Sequence, residues 1–438
     1  MPFSHSEPPA PFPVRLLSPD TCLPPPSPPL DSTLPTKPHH PGTGPISWLA
    51  RFSAGPEARP RTQAAAGSSR AKAIVTSWFA EAGVTVDGDE PWDLQVHDER
   101  LYRRVLGGGT LAFGEAYMDG WWDCEAIDEL CCRVLRARVA ERVALRWPDL
   151  AVTLAARVFN LQSLRRARES VSSHYDLGND FFAAMLDPTL QYSCAYFSGT
   201  DDLAEAQRRK LDLICRKLGL KPGMRLLDIG CGWGGLARHA ATHYGCSVVG
   251  ITLSAEQRAY AAAVCADLPV EIRLQDYRNL TGSFDRIASV GMMEHVGYKN
   301  YRTYMTAAFR SLADGGLFLC HTIAGNSSEV CTNPWLDRYI FPDSMLPSPA
   351  QVARAAEGLF VVEDTHNFGA YYDRTLLAWE KNFRAAWPRF RAAYGERFGR
   401  MWRYYLLSCA GAFRSRSIGL LQFVLSKGGV PGGYTAVR

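Results

Sequence analysis

The stretch LLDIGCGWGG, residues 226–235, decides the fold because it joins an apolar strand to a helix through a glycine-rich turn. The apolar run ends at Asp228. Three glycines follow at alternate positions: Gly230, Gly232 and Gly234. Glycines at the start of a helix let the backbone approach a ligand closely. The turn resembles the dinucleotide-binding pattern G-x-G-x-x-G, but a glycine also comes one position early, at Gly234, and the turn alone leaves the ligand open.

Short apolar runs alternate with helical stretches throughout the second half of the chain. The runs are 224–229, 247–251, 270–274, 284–290, 316–321 and 359–364. Such alternation predicts an α/β fold in which helices cover both faces of a parallel sheet. Ligands bind to such sheets at the carboxyl ends of the strands, where the strand order reverses.

The ends of the next two strands carry polar groups that suit a nucleoside without a phosphate. Thr252, Ser254 and Gln257 stand where a dinucleotide site usually has an acidic residue for a ribose hydroxyl. At the end of the third strand, Asp276 can accept a hydrogen bond from an adenine amino group, and Tyr277 can pack against the ring. An NAD-dependent oxidoreductase and a purely structural glycine turn stay open as alternatives.

Composition and charge exclude several classes of protein. A net charge of +4 over 438 residues is too small for a nucleic-acid partner but is compatible with an anionic membrane surface. The 12 cysteines form no CxxC pair, which favours reduced thiols in the cytoplasm. We find neither a secretory signal nor an apolar run long enough to span a bilayer. We therefore expect a cytoplasmic protein that contacts a membrane only peripherally.

The chain is expected to have three parts. Residues 1–70 are predicted to be disordered because 15 of the 28 prolines fall in the first 45 residues, with a proline-recognition ligand as the alternative. A small N-terminal domain is predicted at 71–165 and a catalytic domain at 166–438. Within the N-terminal domain, the pattern of residues 130–147 predicts a basic amphipathic helix. Such a helix indicates either contact with a lipid surface or a solvated face.

From about Ala71 to its end, the chain resembles the cyclopropane-fatty-acyl-phospholipid synthase family. The matching stretches are HYDLGNDFF (174–182), QYSCAYF (191–197), LLDIGCGWGG (226–235), GMMEHVG (291–297), HNFGAYYDRTLLAW (366–379) and CAGAFRSR (409–416). The resemblance implies a class I methyltransferase core, a Rossmann-like seven-stranded sheet with one reversed strand, preceded by a smaller helical domain. It also implies a homodimer that acts on lipids in the bilayer at the inner face of the membrane.

The activity that the resemblance implies is transfer of a methylene group from S-adenosylmethionine to the cis double bond of an unsaturated phospholipid acyl chain. The implied cofactor contacts are Tyr192, Ser193, Asp228, Gly230, Gly232, Gly234, Thr252, Leu253, Ser254, Gln257, Gln275, Asp276 and Tyr277. The family also holds a bicarbonate ion, whose ligands fall on Cys194, Glu294, His321, Ile323 and Tyr372. Cys409 falls at the position often described as the family's active-site cysteine.

These residue types suit the chemistry, although each has a simpler interpretation. Attack of an alkene on the sulfonium leaves a cation, and a base must then remove a proton so that the ring closes. Alternatively, Glu294 is one half of a helix charge pair, His321 is a core histidine and Cys409 is an inert buried thiol. No metal is expected, because the ligand spacing of zinc enzymes does not recur. A methyltransferase that makes a methyl- or methylene-branched chain, a small-amine methyltransferase and a non-catalytic lipid-binding protein stay open.

Overall fold

The structure, a computed structural model, describes residues 65–139, 177–330 and 332–438. Most of the extension that we predict to be disordered therefore lies outside the described residues. The same is true of the second half of the predicted basic helix and of the predicted domain boundary near 165.

The described N-terminal residues form three helices and a small hairpin. The helices are α1 (Ala65–Glu81), α2 (Arg100–Met118) and α3 (Ile127–Arg136), and the strands are β1 (Gln95–Val96) and β2 (Trp122–Asp123). Helix α1 begins inside the segment 1–70, so the prediction of disorder was wrong for residues 65–70. The helix begins with two alanines, Ala65 and Ala66, and alanine is the best helix former.

Seven strands form one mixed sheet, as the resemblance implied. They are β3 (Arg225–Ile229), β4 (Ser247–Thr252), β5 (Val270–Leu274), β6 (Phe284–Val290), β7 (Leu312–Gly325), β8 (Val361–Asn367) and β9 (Ile418–Ser426). Their order is β5-β4-β3-β6-β7-β9-β8, and β9 runs antiparallel to both of its neighbours. The order reverses direction between β3 and β6, which creates the switch point at which a ligand is expected.

Nine further helices are described. They are α4 (Asn179–Met185), α5 (Leu203–Lys217), α6 (Gly235–Tyr244), α7 (Ala255–Val264), α8 (Tyr301–Ser311), α9 (Pro334–Tyr339), α10 (Pro349–Ala356), α11 (Ala370–Tyr394) and α12 (Glu396–Arg414). Short 3-10 helices lie at Tyr277–Asn279, Met293–His295 and Tyr298–Asn300.

Helices cover both faces of the sheet because successive strand residues point to opposite sides. In β3, Leu226 joins a buried apolar cluster with residues of α5 and α6, including Ile214. The next residue, Leu227, joins the cluster on the other face with Tyr304 of α8. Full burial of such a side chain contributes roughly 1.5–3 kcal/mol, so the two layers hold the sheet in place.

The six apolar runs predicted as strands are all strands, but β9 was not predicted. Its sequence, IGLLQFVLS, is continuously apolar, and periodicity does not distinguish a buried strand of this kind from a buried helix. Pairing with β9 also extends β7 to Gly325, so His321 lies inside a strand and not at its end.

The described N-terminal residues pack against the last helix, α12. The guanidinium of Arg414 bonds to the carboxylates of Asp128 at 2.6 Å and of Asp373 at 3.0 Å. A Cβ atom added at Gly411 would lie 2.3 Å from the Asp128 carbonyl oxygen, so a glycine is needed for this close approach. Among the described residues, no helix combines the length and apolar character that crossing a membrane requires.

Candidate active site

A pocket lies at the carboxyl ends of β3, β4, β5 and β6, at the switch point of the sheet. The residues from the predicted cofactor set that line it are Tyr192, Ser193, Asp228, Gly230, Gly232, Thr252, Leu253, Gln257, Gln275, Asp276 and Tyr277. These residues come from four separate segments of sequence. Three of the segments meet because the carboxyl ends of parallel strands share one edge of the sheet, and the fourth, 192–193, comes from the connection between α4 and α5.

The glycine turn after β3 adopts a backbone that suits only glycine. Gly230, Gly232 and Gly234 have φ values of +82°, +53° and +83°. A Cβ atom at Gly232 would meet open space, which is the space that a ligand in the pocket would use. At Gly234 it would lie 2.9 Å from the Cβ of Ala261, so this glycine serves helix packing.

Two predicted cofactor residues do not line the pocket but support it. Gly234 is the N-cap of α6. Ser254 is the N-cap of α7, where its hydroxyl accepts a hydrogen bond from the backbone N–H of Gln257 at 3.2 Å. This cap fixes the first turn of α7, and with it the Gln257 side chain, which Thr252 Oγ1 contacts at 2.9 Å.

Asp276 presents a buried carboxylate oxygen to the pocket. Its Oδ1 accepts from the backbone N–H of Arg278 at 2.9 Å. Its Oδ2 lies 3.5 Å from the Arg278 guanidinium and has no hydrogen-bond partner among the residues that the structure describes. Buried polar atoms are normally paired, so Oδ2 suits a donor from a ligand. Tyr277 is buried beside it, with its ring 5.3 Å from that of Tyr304.

A second group of polar residues, which do not line this pocket, lies just after β6 and within β7. Glu294 Oε1 accepts a hydrogen bond from the backbone N–H of Ile323 at 2.7 Å. Glu294 Oε2 is buried and has no hydrogen-bond partner within the described chain. Burial raises the pKa of Glu294 to about 7, because a low-dielectric environment disfavours the carboxylate.

His321 likewise has one polar atom with a hydrogen-bond partner and one without a partner among the described residues. Its Nδ1 lies 3.0 Å from Nε2 of Gln422 on β9, while its own Nε2 is buried without a partner in the described segments. Burial lowers the pKa of His321 well below its usual value, so the imidazole is neutral. With Gln422 donating to Nδ1, the proton of the ring sits on Nε2, which makes that atom a donor.

Tyr372 and Cys194 complete the group from two other segments. Burial raises the pKa of Tyr372 well above 10, and the nearby Cys194 and Glu294 raise it further, so the phenol stays protonated. Its ring stacks on Phe413 at 4.4 Å. Cys194 is fully buried, and burial also raises its pKa, so it is a neutral thiol.

Cys409 is a poor nucleophile in this environment. It lies on α12, and burial raises the pKa of its thiol to about 12. The thiolate is the reactive form of cysteine, and its population at neutral pH is negligible with such a pKa.

Aromatic side chains lie beside residues of both groups. The hydroxyls of Tyr192 and Tyr405 lie 2.9 Å apart, and the ring of Tyr192 lies 5.2 Å from that of Trp379. The ring of Phe368 lies 5.7 Å from that of His321. An aromatic wall of this kind excludes water and stabilises a cation through its ring faces.

Several pocket residues were not predicted from the sequence. They are Leu190, Gln191, Cys231, Trp233, Leu236, Ile251, Arg278, Val290, Gly291, Met292, His295, Phe341, Pro342 and Asp343. Trp233 lies inside the glycine motif, so the motif itself was a signal for it. Phe341, Pro342 and Asp343 follow α9, and no local pattern connects that loop with the strand ends.

Comparison with known proteins identifies the family. The profile of the mycolic acid cyclopropane synthetase family matches residues 162–423. The chain is 51% identical over 355 residues to the cyclopropane-fatty-acyl-phospholipid synthase of Escherichia coli strain K12, and the match covers 81% of this chain and 93% of that relative. The chain belongs to the cyclopropane synthase family.

Two further relatives place this cyclopropane synthase family member among S-adenosylmethionine-dependent methyltransferases. It is 34% identical to mycolic acid cyclopropane synthase CmaA1, whose structure is a complex with SAH and CTAB. The TM-score is 0.56, over 59% of this chain and 98% of that one. It is also 34% identical to the tuberculostearic acid methyltransferase UfaA1 of Mycobacterium tuberculosis, over 76% of this chain and 82% of that relative. The enzyme is therefore an S-adenosylmethionine-dependent methyltransferase, and the oxidoreductase alternative falls away.

Proposed function

We propose that this enzyme transfers a methylene group from S-adenosylmethionine to the cis double bond of an unsaturated phospholipid acyl chain, with bound bicarbonate as the base. The identity of 51% to a cyclopropane-fatty-acyl-phospholipid synthase supports the reaction. The observation that carries the choice of base is the pair of unpaired atoms, Glu294 Oε2 and His321 Nε2, which are buried within the described structure.

The residues of this second group fit a small oxyanion that carries one proton. Glu294 Oε2 is an acceptor when ionised, and His321 Nε2 is a donor in the tautomer described above. The Tyr372 hydroxyl is protonated and adds a group that both donates and accepts. Bicarbonate presents an O–H donor together with acceptor oxygens, so it satisfies both unpaired atoms. A carboxylate and a neutral imidazole left buried without a partner would each cost about 1–3 kcal/mol.

In the proposed mechanism, the glycine turn, Asp276 and Tyr277 would hold S-adenosylmethionine, which supplies the methyl group. When bound, bicarbonate would supply the base that takes a proton from the methyl group added to the alkene. Glu294 and His321 orient that base through an acceptor and a donor. Tyr192 and Tyr372 contribute ring faces that stabilise the cation on the acyl chain and keep water from adding to it. Ring closure follows without a covalent bond to the enzyme, consistent with a Cys409 thiol that stays protonated.

Product analysis tests this proposal directly. The enzyme is incubated with vesicles of unsaturated phospholipid and S-adenosylmethionine labelled at its methyl group, and the fatty acids are examined by mass spectrometry. We expect a labelled product heavier by one CH2 that resists hydrogenation, because a cyclopropane has no double bond. A product that takes up hydrogen would instead be a methylene branch. A product heavier by CH2 and two further hydrogens would be a saturated methyl branch.

The branched product is the second candidate, and the relative UfaA1 favours it, since that protein is named a tuberculostearic acid methyltransferase. A saturated branch needs a hydride donor, whereas ring formation needs only a base. The reaction is therefore run with and without NADPH. Product formation that depends on NADPH would support the branch-forming reaction.

We also propose that the enzyme works as a homodimer at the inner face of the membrane. The lipid substrate itself requires contact with a bilayer. Sedimentation with vesicles tests that contact, and light scattering of the purified enzyme tests the dimer. Failure to sediment with vesicles of unsaturated anionic phospholipid, or a monomer mass at micromolar concentration, would contradict the respective part.

A further inference from the structure

Helix α5 holds the segment 191–193 with two buried side chains. Gln207 Nε2 donates to the carbonyl oxygens of Ser193 at 2.8 Å and of Gln191 at 3.3 Å. Lys210 Nζ donates to Gln191 Oε1 at 2.7 Å and to Ser193 Oγ at 2.9 Å. Both side chains are fully buried, and their spacing of three residues places them on the same side of the helix. Together they bind the main chain and the side chains of the residues that flank Tyr192.

This segment has a backbone that needs support. Leu190 has a φ of +51°, which an L-residue with a large side chain adopts only at a cost. Such conformations persist when the surrounding structure over-determines them. Asp187 contributes from the other side, since its Oδ1 accepts from the backbone N–H of Gln191 at 2.8 Å. The next two residues, Tyr192 and Ser193, line the cofactor pocket.

A lysine at this position is not explained by stability alone. Burying an ammonium group is costly, and the two acceptors of Lys210 are neutral side chains. Burial lowers the pKa of Lys210 to about 8, while Asp187 and Asp228 favour its charged form. Replacing a buried ion pair as a unit with apolar groups is often neutral or stabilising, whereas removing the lysine alone would leave Gln191 Oε1 and Ser193 Oγ without this donor. The ammonium therefore holds the side chains of these two residues, a task that an apolar side chain would not perform.

We propose that Lys210, together with Gln207, is a positioning residue for S-adenosylmethionine, because it holds Tyr192 and Ser193 in the conformation that lines the cofactor pocket. The residue acts through Gln191 and Ser193 and not on the reacting atoms. This inference rests on the proposed assignment of the pocket to S-adenosylmethionine.

The central test replaces Lys210 with methionine, which keeps the length of the side chain and removes both hydrogen bonds. We expect the Kd for S-adenosylhomocysteine, measured by calorimetry, to rise about 10- to 100-fold, since hydrogen bonds to a charged group are worth that much. S-adenosylhomocysteine is used because its sulfur is neutral, so the lost charge does not act on a sulfonium. The KM for S-adenosylmethionine should rise by the same factor, while kcat at saturation changes less.

Lys217→Met is the matched control. Lys217 is also fully buried and lies on the same helix, but its Nζ contacts His366 Nδ1 at 3.1 Å, and the residue does not line the pocket. We expect its loss to leave the Kd for S-adenosylhomocysteine within about twofold of wild type. An equal loss of affinity in both variants would mean that any buried lysine of α5 matters in the same way, and would overturn the proposal.

Two further variants keep the test decisive. If Lys210→Met does not fold, Gln207→Leu removes the other half of the support, and we expect it to weaken binding about tenfold. Gly232→Val tests the pocket itself. Suppose that Gly232→Val loses binding but the folded Lys210→Met keeps the wild-type affinity. That result would overturn the role of the α5 residues and leave the pocket assignment intact. If Lys210→Met does not fold, the same conclusion is drawn from Gln207→Leu. Unchanged affinity in Gly232→Val would overturn the assignment of the pocket.

Discussion

The carboxyl group of Glu294 accepts a 2.7 Å hydrogen bond from the backbone N–H of Ile323. This bond joins the short helix after β6 to the end of β7. It fixes one carboxylate oxygen on the main chain and leaves Oε2 as a buried atom without a partner in the described structure. The orientation of Glu294 is thus set by a bond to the backbone.

Replacing Glu294 with glutamine tests its role in holding the base. The amide oxygen can keep the bond to Ile323, but the other atom becomes a donor where the site needs an acceptor. We expect turnover to fall by about 10²- to 10⁴-fold, the range for losing positioned acid–base help. The affinity for S-adenosylhomocysteine should change little.

The matched control is Glu380→Gln, which alters a buried carboxylate that pairs with Arg403 at 3.2 Å and lies outside the site. We expect that variant to retain activity at equal soluble yield. In carbonate-depleted buffer the wild-type enzyme should slow, and added bicarbonate should restore it. Near-normal activity of Glu294→Gln, combined with no effect of depletion, would sink the proposal of bicarbonate as the base.

Activity should depend on pH through the same residue. Burial raises the pKa of Glu294 to about 7, so its carboxylate form is lost as the pH falls through that value. We expect kcat to rise with pH between about 6 and 8. The measurement uses saturating S-adenosylmethionine, because burial also raises the pKa of Asp228 in the cofactor pocket to about 7. The concentration of bicarbonate, not of total carbonate, must be held constant. In Glu294→Gln, kcat should no longer rise with pH over this range. If the rise persists in the variant, another group is responsible for the titration.

The contribution of Glu294 to the free energy of unfolding should show the opposite pH dependence to kcat, and fall as the pH rises. The pKa of Glu294 in the folded state lies above its ordinary value of 4.5, so the fold favours the protonated form. Its contribution to stability is present below the unfolded pKa and is lost as the pH rises from about 4.5 to 7. The free energy of unfolding of Glu294→Gln minus that of wild type should therefore be larger at pH 8 than at pH 5. Denaturant titrations at the two pH values measure this difference, and a constant difference would contradict the buried titration.

Gly232→Val should abolish binding of S-adenosylmethionine while the protein stays folded. The Cβ position of Gly232 faces open space in the pocket, so valine would fill the volume that the ligand uses. Gly358→Val is the control, since Gly358 also has a positive φ, of +69°, and open space around its Cβ position, but lies outside the pocket. Both variants should lose similar stability, about 1–2 kcal/mol, from the strained backbone. Calorimetry should detect normal binding only in the Gly358 variant.

Asp276→Asn should change the preference for the base of the ligand. We propose that the buried Oδ2 of Asp276 accepts a hydrogen bond from the amino group of adenine, whereas an asparagine amide can donate one. We expect the Kd for S-adenosylhomocysteine to rise about tenfold. S-inosylhomocysteine, which carries a carbonyl oxygen in place of the amino group, should bind the variant better than it binds wild type. Asp267→Asn, a change at an exposed position, is the control. An unchanged ratio of the two affinities in Asp276→Asn would place the base elsewhere.

The sequence by itself determined six of the seven strands and one edge of the sheet. The strands before Asp228, Thr252 and Asp276 are local patterns, and parallel strands bring their carboxyl ends to one edge whatever the details of packing. The glycine turn was also readable, because a positive φ is a local property of a residue type. For these reasons nine of the thirteen predicted cofactor residues line the pocket from the three strand ends, whereas Tyr192 and Ser193, which also line it, were implied only by the family resemblance.

Tertiary structure alone decided which buried groups face one another. The bond between Glu294 and Ile323 and the support of Ser193 by Lys210 join residues that no period of a helix or strand relates. Strand β9 was missed for a similar reason, since its apolar run is compatible with a helix until β7 and β8 pair with it. Hydrogen bonds between distant segments depend on the packing of whole layers, and a local pattern of residues does not encode that packing.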